Sequence, residues 1–212
     1  MKITTFNRFK KLSGFVLALS TLTVTVGVQA QTDNMSRSNS QGRSNYSMFA
    51  AGSSYVGLNA GRSNFRLNNG IGGFPSEQRK NAYSLYGGSY FDNHFGVELG
   101  YSDFGRINRA GGSTKAEGYN LGLVGKLPVG SSFNLLGRAG TTYGRTDVSS
   151  AVGSGIAAGK QNNFGLSYGV GAEFAFNPSL SAVLQYDEYN LKFVNTGREK
   201  VNTTSLGLRY RF

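Results

Sequence analysis

The stretch Phe164-Gly-Leu-Ser-Tyr-Gly-Val-Gly-Ala-Glu-Phe-Ala-Phe176 decides the fold. Phe164, Leu166, Tyr168, Val170, Ala172, Phe174 and Phe176 form one alternate series. Gly165, Ser167, Gly169, Gly171, Glu173 and Ala175 form the other. Successive side chains of an extended chain point to opposite faces, so one face here is apolar throughout and the other is small or polar. The pattern recurs at Phe95, Val97, Leu99 and Tyr101, set against Gly96, Glu98 and Gly100. It returns at Leu206, Leu208, Tyr210 and Phe212 against Gly207, Arg209 and Arg211. Further strands are expected over 54–65, 82–91, 117–127, 133–144 and 180–190, which makes eight. The phase of 82–91 stays open because Gly87, Gly88 and Ser89 interrupt it.

A soluble β-sandwich also alternates, but two features oppose it. Aromatics (Tyr119, Tyr143, Tyr168, Phe174, Tyr186, Tyr210, Phe212) close the ends of the apolar series, where a membrane barrel places its interfacial girdles. The opposite series carries charges at mid-strand, which a soluble core would bury at a cost. Connections expected at 91–94, 128–132 and 177–179 are tight, while those at 66–81, 102–116, 145–162 and 191–203 are long. Together these predict an all-β, eight-stranded antiparallel transmembrane up-and-down β-barrel, with short periplasmic turns and longer extracellular loops.

The first thirty residues are read as an export signal. Lys2, Arg8, Lys10 and Lys11 precede an apolar run from Leu12 to Val28, which ends in Val28-Gln29-Ala30 before Gln31. That arrangement suits cleavage after residue 30 and places the protein in the cell envelope. Cleavage removes four positive charges, so the formal net charge falls from +11 to +7. Residues 31–53 are rich in Ser, Asn and Arg and are expected to form a flexible periplasmic leader before a barrel over 54–212. Beyond residue 30 no stretch approaches the roughly 18 apolar residues of a transmembrane helix. The absence of Cys excludes a disulfide framework.

Several segments resemble the transmembrane domain of the outer-membrane protein A family, the OmpA-like barrels. Phe95-Gly-Val-Glu98-Leu-Gly-Tyr101 is similar to that family's third strand. Gly171-Ala-Glu173-Phe-Ala-Phe-Asn-Pro178 is similar to its sixth strand and third turn, and Ser205-Leu-Gly-Leu-Arg-Tyr-Arg-Phe212 to its last strand. The resemblance implies a Gram-negative outer-membrane barrel with a polar, largely plugged interior. It also implies roles in envelope integrity, weak ion or small-solute passage, and surface contacts. Tyr210 and Phe212 resemble the terminal signal read by the outer-membrane assembly machinery. Two departures from the family's pattern accompany it. The family's peptidoglycan-binding domain does not follow Phe212, so a cell-wall tether is not expected. Where the family's seventh strand has an inward Arg partnering the third-strand Glu, this chain has Val183.

Inward parity gathers Glu98, Lys126, Arg138, Glu173, Asp187, Arg209 and Arg211 in the lumen. An eight-stranded barrel is just wide enough for side chains to fill, so these charges should pair with one another. Two readings stay open, a structural ion-pair network and a gated ion path. Basic residues are expected in the long connections: Arg79 and Lys80, then Arg106, Arg109 and Lys115, then Lys192, Arg198 and Lys200. There they would meet phosphorylated outer-leaflet lipid such as lipopolysaccharide, or simply water. They form no continuous stripe, so nucleic acid is not an expected partner. The one His, His94, lies in an expected periplasmic turn beside Asp92, away from any surface lipid substrate. No catalysis, metal or cofactor is therefore expected. The rival from another class is an adhesin or host-interaction barrel that binds through its extracellular loops.

Overall fold

The computed structural model describes residues 53–212 apart from 69, 72, 195 and 196. The expected signal peptide, and the expected leader up to residue 52, lie outside the described residues. Eight strands follow in order: β1 (Ser54–Phe65), β2 (Arg79–Tyr90), β3 (Phe95–Arg109), β4 (Gly112–Val129), β5 (Phe133–Val148), β6 (Gly159–Ala175), β7 (Leu180–Phe193) and β8 (Gly197–Arg211). Each pairs antiparallel with the next, and β1 pairs with β8 from Tyr55↔Arg211 to Phe65↔Val201, which closes the barrel. Closure leaves no edge strand, so the wall satisfies its own backbone hydrogen bonds without water.

The alternation has a direct structural reading. Leu58, Leu85, Leu99, Leu121, Leu166 and Leu206 face outward and are exposed, as a lipid-facing band requires. Rings bound the band at both ends. Tyr83, Tyr101, Tyr119, Tyr143, Phe164, Tyr168 and Tyr186 lie at the loop end, where Tyr101 meets Tyr119 at 5.3 Å and Tyr143 meets Phe164 at 4.9 Å. Phe95, Phe133, Phe174, Phe176, Tyr210 and Phe212 lie at the turn end. Strand β2 takes the phase that puts Tyr83 and Leu85 outside and buries Ala82, Tyr86 and Tyr90 within.

The turns at 91–94, 130–132 and 176–179 are short. Asp92 Oδ1 accepts the His94 and Phe95 amides, and Asn177 Oδ1 accepts those of Ser179 and Leu180, as Asx turns do.

At the other end the expectation needs correction. The connections expected at 102–116 and 191–203 are mostly strand: β3 and β4 are joined by Ala110 and Gly111 alone, and β7 and β8 by residues 194–196. Ala110 and Gly111 both take positive φ, 52° and 69°, as a two-residue type I′ turn demands. The physical reason is that the pattern inverts past the upper rings. Inward positions become apolar (Phe104, Ile107, Ala116, Val148, Leu191, Phe193, Val201) and outward positions polar. The strands thus continue above the lipid band as a water-facing barrel with its own core.

A bulge in β3 makes this inversion possible. The register with β4 shifts between Asp103↔Glu117 and Arg106↔Lys115, so Phe104 and Gly105 together oppose Ala116. Inward parity thereby moves from even residues (Ser102, Phe104) to odd ones (Ile107, Arg109). Gly105 has φ +81°, and a Cβ there would lie 2.6 Å from the Asn81 carbonyl oxygen. A non-glycine residue in that conformation is strained and has no room. Gly105→Ala is expected to cost about 1–3 kcal/mol, read as a lower urea midpoint for the barrel refolded in lipid vesicles. An unchanged midpoint would mean that the bulge is not fixed by this glycine.

Candidate functional site in the barrel lumen

The turn-end half of the lumen is a layer of charges and tyrosines. Arg138 on β5 donates to Glu98 Oε2 on β3 at 2.7 Å and lies 4.0 Å from Asp187 on β7. Arg209 on β8 is fully buried, 3.5 Å from Glu173 and 3.9 Å from Glu98, and bridges the two carboxylates. Arg211 pairs with Glu173, which also accepts from Ser181 Oγ. All seven charged residues expected in the lumen point inward, and six of them are linked through these contacts. Lys126, the seventh, sits 4.5 Å above the Tyr90 ring. The place that the resemblance gave to an inward Arg is taken by buried Val183, and the partner of Glu98 comes from β5 instead.

Three tyrosines, unforeseen in this role, insulate the layer. Tyr55, Tyr86 and Tyr90 are buried side by side from β1 and β2, with ring centroids of 5.4 Å for Tyr55–Tyr90 and 6.3 Å for Tyr55–Tyr86. The Arg209 guanidinium lies 4.2 Å from the Tyr55 centroid, and Arg138 lies 4.7 Å from that of Tyr86. These are cation–π distances, and Tyr55 also donates to Glu98 at 2.9 Å. Gly57 makes room for the stack, since a Cβ there would fall 2.2 Å from the Tyr86 ring.

The loop-end half is sealed differently. Phe65, Leu67, Phe104, Ile107, Tyr189, Leu191, Phe193 and Val201 form one buried apolar cluster across the lumen. Phe104 meets Tyr189 edge to face at 4.7 Å, and Phe65 meets Phe193 at 6.4 Å. The connections over the mouth are laced together: Ile71 donates to the Ser154 carbonyl, Ala151 to that of Ala110, and Glu77 to that of Asn108. Between the two layers remains a cavity of about 50 Å³, lined by Glu98, Arg138, Asp187, Asn120 and Tyr189 among others. That volume holds about a water or two.

The residues expected on basic loops take other places. Arg79 and Lys80 open β2; Arg106, Lys115, Lys192, Arg198 and Lys200 stand on strands, above the lipid band. Arg109 is a correction of a different kind, because it is buried. The β3 bulge turns it inward, where it donates to Thr114 Oγ1 at 2.8 Å and to the Asn68 carbonyl at 2.7 Å. Its neighbours Lys115 and Lys200 are paired, with Glu117 at 2.9 Å and Glu188 at 2.6 Å.

Residues 49–212 match the family described as the OmpA-like transmembrane domain. The chain belongs to this family. Outer membrane protein A of Shigella flexneri is 29% identical over 157 residues, 70% of this chain and 44% of that protein. Outer membrane protein P5 of Haemophilus influenzae is 30% identical over 193 residues, 74% of this chain and 54% of that protein. The chain thus spans about half the length of the relatives it matches. Among solved structures, Neisserial surface protein A has a TM-score of 0.56 at 18% identity, covering 76% of this chain and 98% of its own. Ail, the attachment invasion locus protein of Yersinia pestis, has a TM-score of 0.51 at 21% identity, covering 75% and 97%. These likenesses at low identity concern the fold. Family and relatives place this OmpA-like barrel in the outer membrane of a Gram-negative bacterium.

Proposed function

We propose that this OmpA-like barrel is a sealed, non-enzymatic wall element that stabilises the outer membrane and does not serve as a pore. The observation that carries the reading is the filling of the lumen by two unlike layers. Ion pairs and tyrosines fill the periplasmic half, and an apolar cluster fills the extracellular half. Moving a hydrated ion through would require stripping its water at the apolar layer and displacing paired charges at the other. The wall in turn offers lipid a continuous apolar band between aromatic rings, and phosphorylated headgroups a polar collar above it. Tyr210 and Phe212, facing lipid at the end of β8, are suited to recognition by the assembly machinery. Asp92 Oδ1 beside His94 accepts two turn amides, which gives this carboxylate a turn-forming role.

Attachment through the loops has less to stand on. Among the described residues the large exposed apolar side chains over the mouth are Ile71 and Val152, both aliphatic, whereas aromatic and arginine side chains are the usual anchors of protein interfaces. Planar-bilayer recording of the refolded protein tests the reading. Silence is the expected result, with raised detergent sensitivity in cells lacking the protein. Steady, ion-selective conductance steps from the unmodified chain would overturn it.

A further inference from the structure

Part of the polar collar above the lipid band is self-neutralised. Lys115 pairs with Glu117, Lys160 with Asp147 at 3.7 Å, and Lys200 with Glu188. The face made by β1 and β2 carries two arginines on neighbouring outward positions just above the upper rings. Arg62 stands directly opposite Asn81, and Arg79 is opposite Asn64, one outward position further along the ladder. Diagonal outward neighbours of this kind lie close enough for long side chains to act on one ligand. Among the described residues neither Arg62 nor Arg79 has an ion-pair partner. Together with Lys80 and Asn81 they line an open cavity of about 340 Å³. Lys80 is partly engaged by Glu77 at 3.2 Å. Asp103, opposite Tyr83 on the neighbouring β3, accepts the Gly105 amide at 2.8 Å.

Height on the wall identifies the ligand. Arg62 is the first outward residue of β1 past the apolar Val56, Leu58 and Ala60, and Tyr83 of the upper girdle lies just below Asn81. Interfacial tyrosines mark the boundary between hydrocarbon and headgroups, so the two guanidiniums sit where the first phosphates of the outer leaflet lie. Guanidinium forks match phosphate oxygens two at a time. An acyl chain on the same molecule would run down the wall of Leu58 and Leu85.

We propose that Arg62, Arg79, Lys80 and Asn81 form a binding site for the phosphate monoester of an outer-leaflet lipid, held with its acyl chains against β1 and β2. The proposal rests on the reading of this barrel as a wall element in lipid contact. Its test counts bound lipid and is blind to conductance, so the two readings fail separately. The full chain is refolded into phosphatidylcholine vesicles doped with diphosphorylated lipid A, extracted in mild detergent and weighed by native mass spectrometry. The unmodified protein is expected to retain one lipid A. The double variant Arg62→Gln/Arg79→Gln is expected to retain at least about tenfold less, since each lost charge-assisted hydrogen bond weakens binding by that order. Arg79→Lys, which keeps the charge and loses the fork, should fall between them. Lys192→Gln/Arg198→Gln, on the opposite side of the closing seam, should retain lipid as the unmodified chain does. Gel mobility before and after heating shows that each variant is folded. Equal retention by the two double variants would overturn the site. Displacement of lipid A by millimolar inorganic phosphate would assign the site to a soluble phosphate and overturn its lipid identity.

Discussion

Replacing Glu173 by alanine is expected to lower the unfolding free energy by about 3–5 kcal/mol, the cost of leaving buried cations unpaired. Glu173 is fully buried; Arg209, Arg211 and Ser181 all converge on its carboxylate, and Asn134 approaches at 3.4 Å. Arg209 has no exposed surface and cannot reach water when its partner goes. The neighbouring tyrosine faces and Glu98, 3.9 Å away, offset only part of its charge. Glu173→Gln keeps an acceptor of the same shape and should cost less than the alanine variant. Arg211→Ala should also cost less, because its side chain is partly exposed and Glu173 keeps Arg209. Combining Glu173→Ala with Arg211→Ala should recover part of the loss, since one stranded cation is removed along with its acid. Urea unfolding of the barrel in lipid vesicles, followed by gel mobility, measures all four. A loss below about 1 kcal/mol for Glu173→Ala would show that the pair behaves as a solvated surface bridge.

The membrane-embedded part of the barrel was legible because lipid imposes a strong rule on every second residue. Strand β6 could be read directly from Phe164 to Phe176, and inward parity at Glu98, Arg138, Glu173 and Asp187 followed from the same counting. The rule lapses where lipid ends. Above the upper tyrosines the outward positions become Arg, Lys, Asn and Glu and the inward ones Phe, Ile, Leu and Val, so a search for apolar-out alternation takes strand for loop. The bulge added a second obstacle. With two residues set against Ala116, counting from Glu98 puts Arg109 on the wrong face. The trace was present in the sequence: Ser102 and Phe104 share one parity while Ile107 has the other, with a glycine between them. Tyr55, Tyr86 and Tyr90 were missed because aromatics in such a barrel are expected outside. Only their opposition across the ladder to Gly88, Gly57 and Gly96, which makes inward space, marks them as lumen residues.

The two halves of the lumen share a single backbone cylinder and solve one problem with different chemistry. Near the periplasmic end the strands are fixed by lipid on the outside, and charge pairs with tyrosine faces fill the inside. Past the lipid band water replaces the outer solvent, and the hydrophobic effect then favours an apolar interior. The inversion of the pattern at Tyr83, Tyr101, Tyr119 and Tyr143 therefore marks where the outer solvent changes.

That division predicts how the barrel would open. Phe104→Ala is expected to cost about 3–5 kcal/mol, the upper range for a large core truncation. Phe104 is fully buried, packs edge to face on Tyr189, and lies in a closed wall that cannot collapse inward to fill the void. Yet the variant should stay electrically silent, because the barriers act in series and the layer of Arg138, Arg209 and the tyrosines is untouched. Arg138→Ala alone should also be silent, since it enlarges the small central cavity while the apolar cluster still shuts the extracellular side. The two changes together join that cavity to the void left by Phe104, and steady conductance steps are expected only then. Planar-bilayer recording of the two single variants and the pair distinguishes the cases. Conductance from Phe104→Ala alone would show that the apolar cluster is the whole seal, and that the charged layer binds the strands without blocking the path.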